Sequence, residues 1–120
     1  MERVGFESSH AGSSDNGTVE RILTFLEAGY CTCIDATMMA KAARCSRRTL
    51  ARITRKHWHC TPRELIARYR MHRARDLLGQ GWKIEAVVLA VGYRSRINFY
   101  RTFRRHLGCA PSEYRPPPHD

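Results

Sequence analysis

The chain repeats itself. Displaced by 49 residues (95 − 46 = 49), Ser46 falls on Ser95, Leu50 on Phe99, Arg52 on Arg101, Arg55 on Arg104, Lys56 on Arg105 and His57 on His106. Cys60-Thr61-Pro62 falls on Cys109-Ala110-Pro111, and Glu64 on Glu113. Self-similarity at a fixed offset marks one supersecondary unit used twice. Whatever the fold, it must build the same short unit at both places within 120 residues, enough for one domain with a modest core.

The local signals make that unit helical. Ser46 is a good N-cap for "RRTLARITRKHW", and Ser95 stands in the same place before "RINFYRTFRRH". Each copy follows a short apolar helix and a tight turn. In the first, Asp35 caps a helix through Met38, Met39, Ala40 and Ala43. In the second, Ile84, Val87, Val88 and Val91 share a helical face; their β-branched side chains would also suit a strand, but the turn Gly92-Tyr93 before Ser95 favours two helices. Upstream, Thr18 caps a helix carrying Val19, Ile22, Leu23 and Leu26 and stopped by Gly29. Residues 1–17, rich in Ser, Gly, Asn and Asp, read as a flexible arm or linker. "APSEYR" adds a last short turn, and the run of prolines from Pro116 closes the folded part, leaving 116–120 as a tail. The expectation is all-α, about seven helices.

Thr61-Pro62 opens a longer helix to about Leu78, ended by "GQG". At 100° per residue, Leu65, Ile66 and Tyr69 cluster on one side. Met71, Ala74, Leu77 and Leu78 cluster on roughly the other. Two successive stripes predict a linker whose halves pack against two small cores. The expected plan is two helix-turn-helix subdomains, at about 35–57 and 83–106, joined by the helix 62–78.

The same projection divides the repeated helix. Thr102, Phe103 and His106 fall within about 60° of Phe99, while Ile97, Asn98, Arg101, Arg104 and Arg105 take the opposite face. In the first copy Leu50 and Ile53 point in, and Arg48, Thr49, Arg52, Arg55 and Lys56 point out. One basic helix is usually a solvated face. Two, each the second helix of a helix-turn-helix and each free of acids on its outward face, match what a recognition helix needs: side chains for base edges flanked by Arg and Lys for phosphates. The net charge of +10 agrees with a polyanionic partner.

These residues resemble the C-terminal DNA-binding domain of the AraC/XylS family of bacterial transcription regulators. The likeness spans roughly Thr18 to Arg115. It is strongest in "RYRMHRARDLL", in "IEAVVLAVGYRSRINFYRTFRRHLGCAPSEYR", and from Ser46 to Pro62. It implies seven helices, with two recognition helices in successive major-groove segments of duplex DNA, and regulation of transcription as an activator with RNA polymerase as a further partner. By family position, base readout falls to Arg48, Ala51 and Arg52, helped by Thr49, and to Arg96, Ile97, Asn98 and Arg101. Arg47, Arg55, Arg104 and Arg105 complete the expected DNA-binding set. The family joins this domain to an N-terminal sensing or dimerising domain, so the chain is read as a stand-alone member or a C-terminal half. The domain itself would be a monomer, and a dimer where such a domain supplies the contact. Arg44 stands where the first turn usually has Gly, Thr54 where an inward Phe is usual, and "HWHC" replaces a glycine-containing loop.

Other classes have less support. Cys31-x-Cys33 and His57-x-His59-Cys60 lack a structural zinc spacing, and no metal or cofactor is expected. Cys45, Cys60 and Cys109 sit at family core positions, whereas packing does not account for Cys31 and Cys33. A thiol- or metal-responsive regulator and a nonspecific DNA-coating protein remain as alternatives. An enzyme is not expected, for want of a phosphate-cradling loop, a nucleophile elbow or paired carboxylates on one face. No apolar run reaches the ~18 residues of a membrane span, and no secretory signal is recognisable. The expected setting is the bacterial cytoplasm, in association with the nucleoid.

Overall fold

The computed structural model describes residues 15–114. The described residues are all-helical: α1 (Asn16–Gly29), α2 (Ala36–Ala43), α3 (Arg47–Trp58), α4 (Pro62–Gly79), α5 (Ile84–Ala90) and α6 (Arg96–Leu107), then a 3-10 turn at Pro111–Glu113. They form two compact units. One comprises residues 15–29 and 34–66, the other 30–33 and 67–114.

In the first unit α1 buries Val19, Ile22, Leu23 and Leu26, while Met39, Ala40 and Ala43 of α2 and Leu50, Ile53 and Trp58 of α3 are buried with them. Arg21 donates from Nε to the Ala43 carbonyl at 3.1 Å, satisfying one of the open acceptors at the end of α2. Asp35 caps α2, its Oδ1 accepting the Met38 N–H at 2.9 Å. The helix ends in a Schellman turn: the Cys45 N–H reaches the Ala40 carbonyl at 3.0 Å. That turn needs a left-handed residue, and Arg44 supplies it at φ 61°. Held there without glycine's freedom, Arg44 carries a strain of roughly 1–2 kcal/mol.

The start of α1 corrects the sequence expectation. Order begins before Thr18, with the helix opening at Asn16 and Asp15 buried ahead of it. The Asp15 carbonyl accepts the Val19 N–H at 2.8 Å, so Asp15, not Thr18, takes the N-cap backbone position. The rest of the expected arm, residues 1–14, and the tail lie outside the described residues.

α4 opens with a reciprocal capping box. The Glu64 N–H donates to Thr61 Oγ1 at 3.1 Å, and the Thr61 N–H to Glu64 Oε1 at 2.9 Å. Its stripes divide at a different point from the one expected. Leu65 and Ile66 belong to the first unit, but Tyr69 belongs to the second, where its ring lies 5.6 Å from that of Tyr30.

The second unit's core is Met71, Ala74 and Leu77 of α4, Val87, Val88 and Val91 at α5, and Phe99 and Phe103 of α6. Phe99 meets Phe103 at 5.7 Å and the edge of Tyr93 at 5.6 Å. The loop 30–33 is held against this unit by Arg70, which donates to the carbonyls of Tyr30 at 2.8 Å and Thr32 at 2.7 Å. α5 also ends in a Schellman turn, the Tyr93 N–H reaching the Val88 carbonyl at 3.0 Å. Here Gly92 takes the left-handed position at φ 91°, and a Cβ on it would lie 3.0 Å from the backbone of Tyr30 and Cys31. Glycine is required twice over, by conformation and by space.

Candidate nucleic-acid interface

α3 and α6 occupy equivalent places, each the second helix of a helix-turn-helix. Their starts are fixed alike. Ser46 Oγ accepts the Thr49 N–H at 3.0 Å, and Ser95 Oγ accepts the Asn98 N–H at 3.2 Å. A cap of this kind contributes about 1 kcal/mol and sets the first turn, from which an HTH helix reaches into the groove. Apolar contacts then fix the rotation about the helix axis. Leu50 and Ile53 are buried under α3, Phe99 and Phe103 under α6. Burying those faces turns the basic residues outward.

Eleven of the twelve expected site residues are exposed: Arg47, Arg48, Ala51, Arg52 and Arg55 on α3, and Arg96, Ile97, Asn98, Arg101, Arg104 and Arg105 on α6. Thr49 is half-buried, and its Oγ1 lies 3.0 Å from Ser46 Oγ, within the cap. Ile97 is the clearest case of outward placement. It is 70% exposed, an apolar side chain on a charged face with no core to fill. Arg47, Arg48 and Ala51 also line an open depression together with Arg63, near the start of α4. Arg63 was not among the expected site residues.

The two faces are not purely basic, because each receives an acid from elsewhere in the chain. On α6, Glu85 Oε2 pairs with Arg96 Nη2 at 3.3 Å, and the Arg96 guanidinium lies 5.7 Å from the Tyr100 ring centre. Both partners are well exposed, so this contact is weak in water and easily surrendered. On α3 the acid is Asp15. Its Oδ2 accepts from Lys56 Nζ at 3.1 Å and lies 3.3 Å from His57 Nε2, while its Oδ1 lies 3.7 Å from Arg52 Nη2. The Lys56 hydrogen bond holds the Asp15 carboxyl below the usual carboxylate range, against the opposing pull of burial; His57 and Arg52 add to the lowering. Sequence reading missed this residue. Its partners are 37 to 42 positions away, and nothing local in "SSDNGT" marks it.

The thiols divide by setting. Cys60 is buried, Cys45 and Cys109 are half-buried, and burial pushes the Cys45 thiol up. Cys31 and Cys33 are exposed. Among the described residues no group of three or more His, Cys, Asp or Glu side chains is placed to hold a metal. No helix among them is long and apolar enough to cross a membrane.

Two capped helix-turn-helix units, each with a basic outward helix, define a DNA-binding domain by fold. The sequence matches the family described as "Helix-turn-helix domain" over residues 39–116. It is 30% identical over 107 residues to the HTH-type transcriptional regulator GbdR of Pseudomonas aeruginosa, covering 88% of this chain and 29% of that protein. It is 33% identical over 79 residues to the RCS-specific HTH-type transcriptional activator RclR of Escherichia coli, covering 64% and 28%. Among solved structures, it resembles an AraC-type transcriptional regulator from Chromobacterium violaceum, with TM-score 0.76 and 26% identity over 85% of this chain and 92% of that one. It also resembles the DNA-binding domain of the global transcriptional factor AdpA in complex with a target DNA, with TM-score 0.72 and 28% identity over 80% and 86%. The chain belongs to the AraC/XylS family of helix-turn-helix DNA-binding domains found in transcriptional regulators. It spans less than a third of the length of GbdR or RclR.

Proposed function

We propose that the chain binds duplex DNA sequence-specifically, with α3 and α6 entering successive major-groove segments, and that it activates transcription. The observation that carries this reading is the pair of equivalent helices, each locked by a serine cap and an apolar underside so that a basic face is presented outward. Arg48, Ala51 and Arg52 meet bases from α3, with Thr49 serving the cap. Arg96, Ile97, Asn98 and Arg101 meet bases from α6. Arg47, Arg55, Arg104 and Arg105 contact phosphates. Arg101 lies one turn after Ile97, where a guanidinium can take a guanine's O6 and N7 together, and Ile97 suits a thymine methyl. The activator role draws support from relatives such as the lactose operon transcription activator of Staphylococcus xylosus, 28% identical over 101 residues. RNA polymerase is the second partner. The domain acts as a binding module, not an enzyme, and is monomeric on its own.

Selection of bound duplexes from a random pool, followed by footprinting, tests the reading. Two recognition helices about one turn of DNA apart, roughly 34 Å, predict a protected site of about 15 to 20 base pairs. The site should be asymmetric, since Arg48 and Arg52 on one face differ from Ile97, Asn98 and Arg101 on the other. Affinity should fall steeply with salt as phosphate contacts release counterions. A pool that emerges without enrichment would favour nonspecific coating of DNA instead.

A further inference from the structure

Among the described residues Asp15 is the one buried acid, and it lies against the basic stripe of α3. Its side chain is 8% exposed, against 58% for Arg52 and 47% for Lys56. A carboxylate so placed persists only if paired and hydrogen-bonded. Besides lying 3.3 Å from the buried His57 Nε2, Asp15 meets two exposed cations one turn of α3 apart: Arg52 and Lys56 are four residues apart on the same stripe. The two contacts differ in kind. Lys56 Nζ is hydrogen-bonded at 3.1 Å, so its charge is partly committed. Arg52 Nη2 sits at 3.7 Å, beyond a good hydrogen bond, where the attraction biases the side chain's direction and leaves its donors available.

We propose that Asp15 is a positioning residue for base readout, orienting Arg52 while restraining Lys56, so that the residue just ahead of α1 helps set the sequence preference of α3. The inference rests on the reading of α3 as a base-reading helix. An Arg reads guanine only when its planar fork meets two acceptors at once, so limiting its orientations favours the matched contact over alternatives. A free lysine does the reverse, because a phosphate contact strengthens binding to every sequence alike. One carboxylate acting on both therefore raises discrimination and lowers indiscriminate affinity. The second unit handles its acid differently: Glu85 meets Arg96 in the first turn of α6 and is itself exposed.

The test uses the full chain with Asp15→Asn and Asp15→Glu, each alone and combined with Arg52→Ala. Binding is measured on the selected site and on duplexes changed one base pair at a time, at several salt concentrations, with thermal melts to confirm folding. Asp15→Asn should bind mismatched duplexes more tightly and lose about tenfold of its preference at the base pair that Arg52→Ala also affects. Its salt dependence should steepen by up to about one unit as Lys56 turns to phosphate. Once Arg52 is alanine, Asp15→Asn should cause no further loss of preference. Asp15→Glu keeps the charge but shifts it by a methylene, and should lie between wild type and Asp15→Asn; it also serves if Asp15→Asn fails to fold. A merely structural Asp15 would lower the melting temperature and leave the ratio of matched to mismatched binding unchanged. That result, or an equal loss with and without Arg52, overturns the proposal. Failure of the underlying reading would show earlier, as a wild-type chain with no preference, or as Arg52→Ala without effect at any base pair.

Discussion

The two helix-turn-helix units solve the same problem with different materials. Each needs a left-handed residue to turn from its first helix into its second. The second unit uses Gly92, and the approach of Tyr30 and Cys31 leaves no room for anything larger. The first uses Arg44, at φ 61°. Beneath the recognition helices the contrast continues. The repeat sets Thr54 opposite Phe103. Both are fully buried, but Thr54 returns its hydroxyl to the Ala51 carbonyl at 3.2 Å while Phe103 fills a core of rings. The first unit is then tied by charge: Asp15 draws together Lys56, His57 and Arg52. Apolar volume fixes the second recognition helix. A mixture of aliphatic contacts, a strained turn and an ion cluster around the buried Asp15 carboxylate fixes the first.

That contrast can be broken most forcefully at its apolar end. Phe103→Ala should cost about 3–5 kcal/mol of stability through the cavity it leaves. Thr54→Ala, at the equivalent position, should cost about 1 kcal/mol, the scale of one internal hydrogen bond. Denaturant unfolding of the two variants compares them directly, and similar losses would mean that the two cores do not differ as described. The turns give the next largest effect, with opposite signs. Gly92→Ala should destabilise by roughly 1–3 kcal/mol through strain and crowding. Arg44→Gly should stabilise by up to about 1 kcal/mol by relieving a left-handed non-glycine residue. Thermal melts read both; destabilisation by Arg44→Gly would show that Arg44 makes contacts worth more than its strain.

The smallest expected effect separates the units by pH. The Asp15 carboxyl is lowered in the folded chain, chiefly by its hydrogen bond from Lys56, with His57 and Arg52 contributing. A carboxylate depressed on folding adds stability that is fully present above its unfolded value, near 3.8, and is lost as pH falls through the folded value. Stability followed from pH 6 down to pH 2 should therefore fall less steeply in Asp15→Asn than in wild type, with the difference confined below about pH 4. Parallel curves would remove the ion cluster from the account of the first unit.

Much of this plan was legible because it is local or periodic. Ser46, Ser95, Asp35 and Thr61 announce themselves as caps by residue type and place, and the offset of 49 exposes the duplication. The rotation of α3 and α6 follows from where Leu50, Ile53, Phe99 and Phe103 fall on a helix. What escaped was long-range. Asp15 looked like part of a polar linker because its meaning depends on α3, some 40 residues on. Tyr69 looked like part of the first stripe because its partner, Tyr30, lies in the loop after α1. The acids that reach the two basic faces, Asp15 and Glu85, belong to neither recognition helix, so projecting each helix by itself could not reveal them.

The central claim is that outward residues on these helices read bases while their neighbours hold the backbone. Binding of Arg101→Ala and Arg105→Ala to the selected site and to every single-base-pair change of it tests this most directly. Arg101→Ala should lose about 1–3 kcal/mol on the best site and become indifferent at one or two base pairs. Arg105→Ala should weaken all duplexes alike and lower the salt slope by about one unit. Equal losses from both variants on every duplex would mean that α6 meets only the phosphate backbone, and would contradict the account.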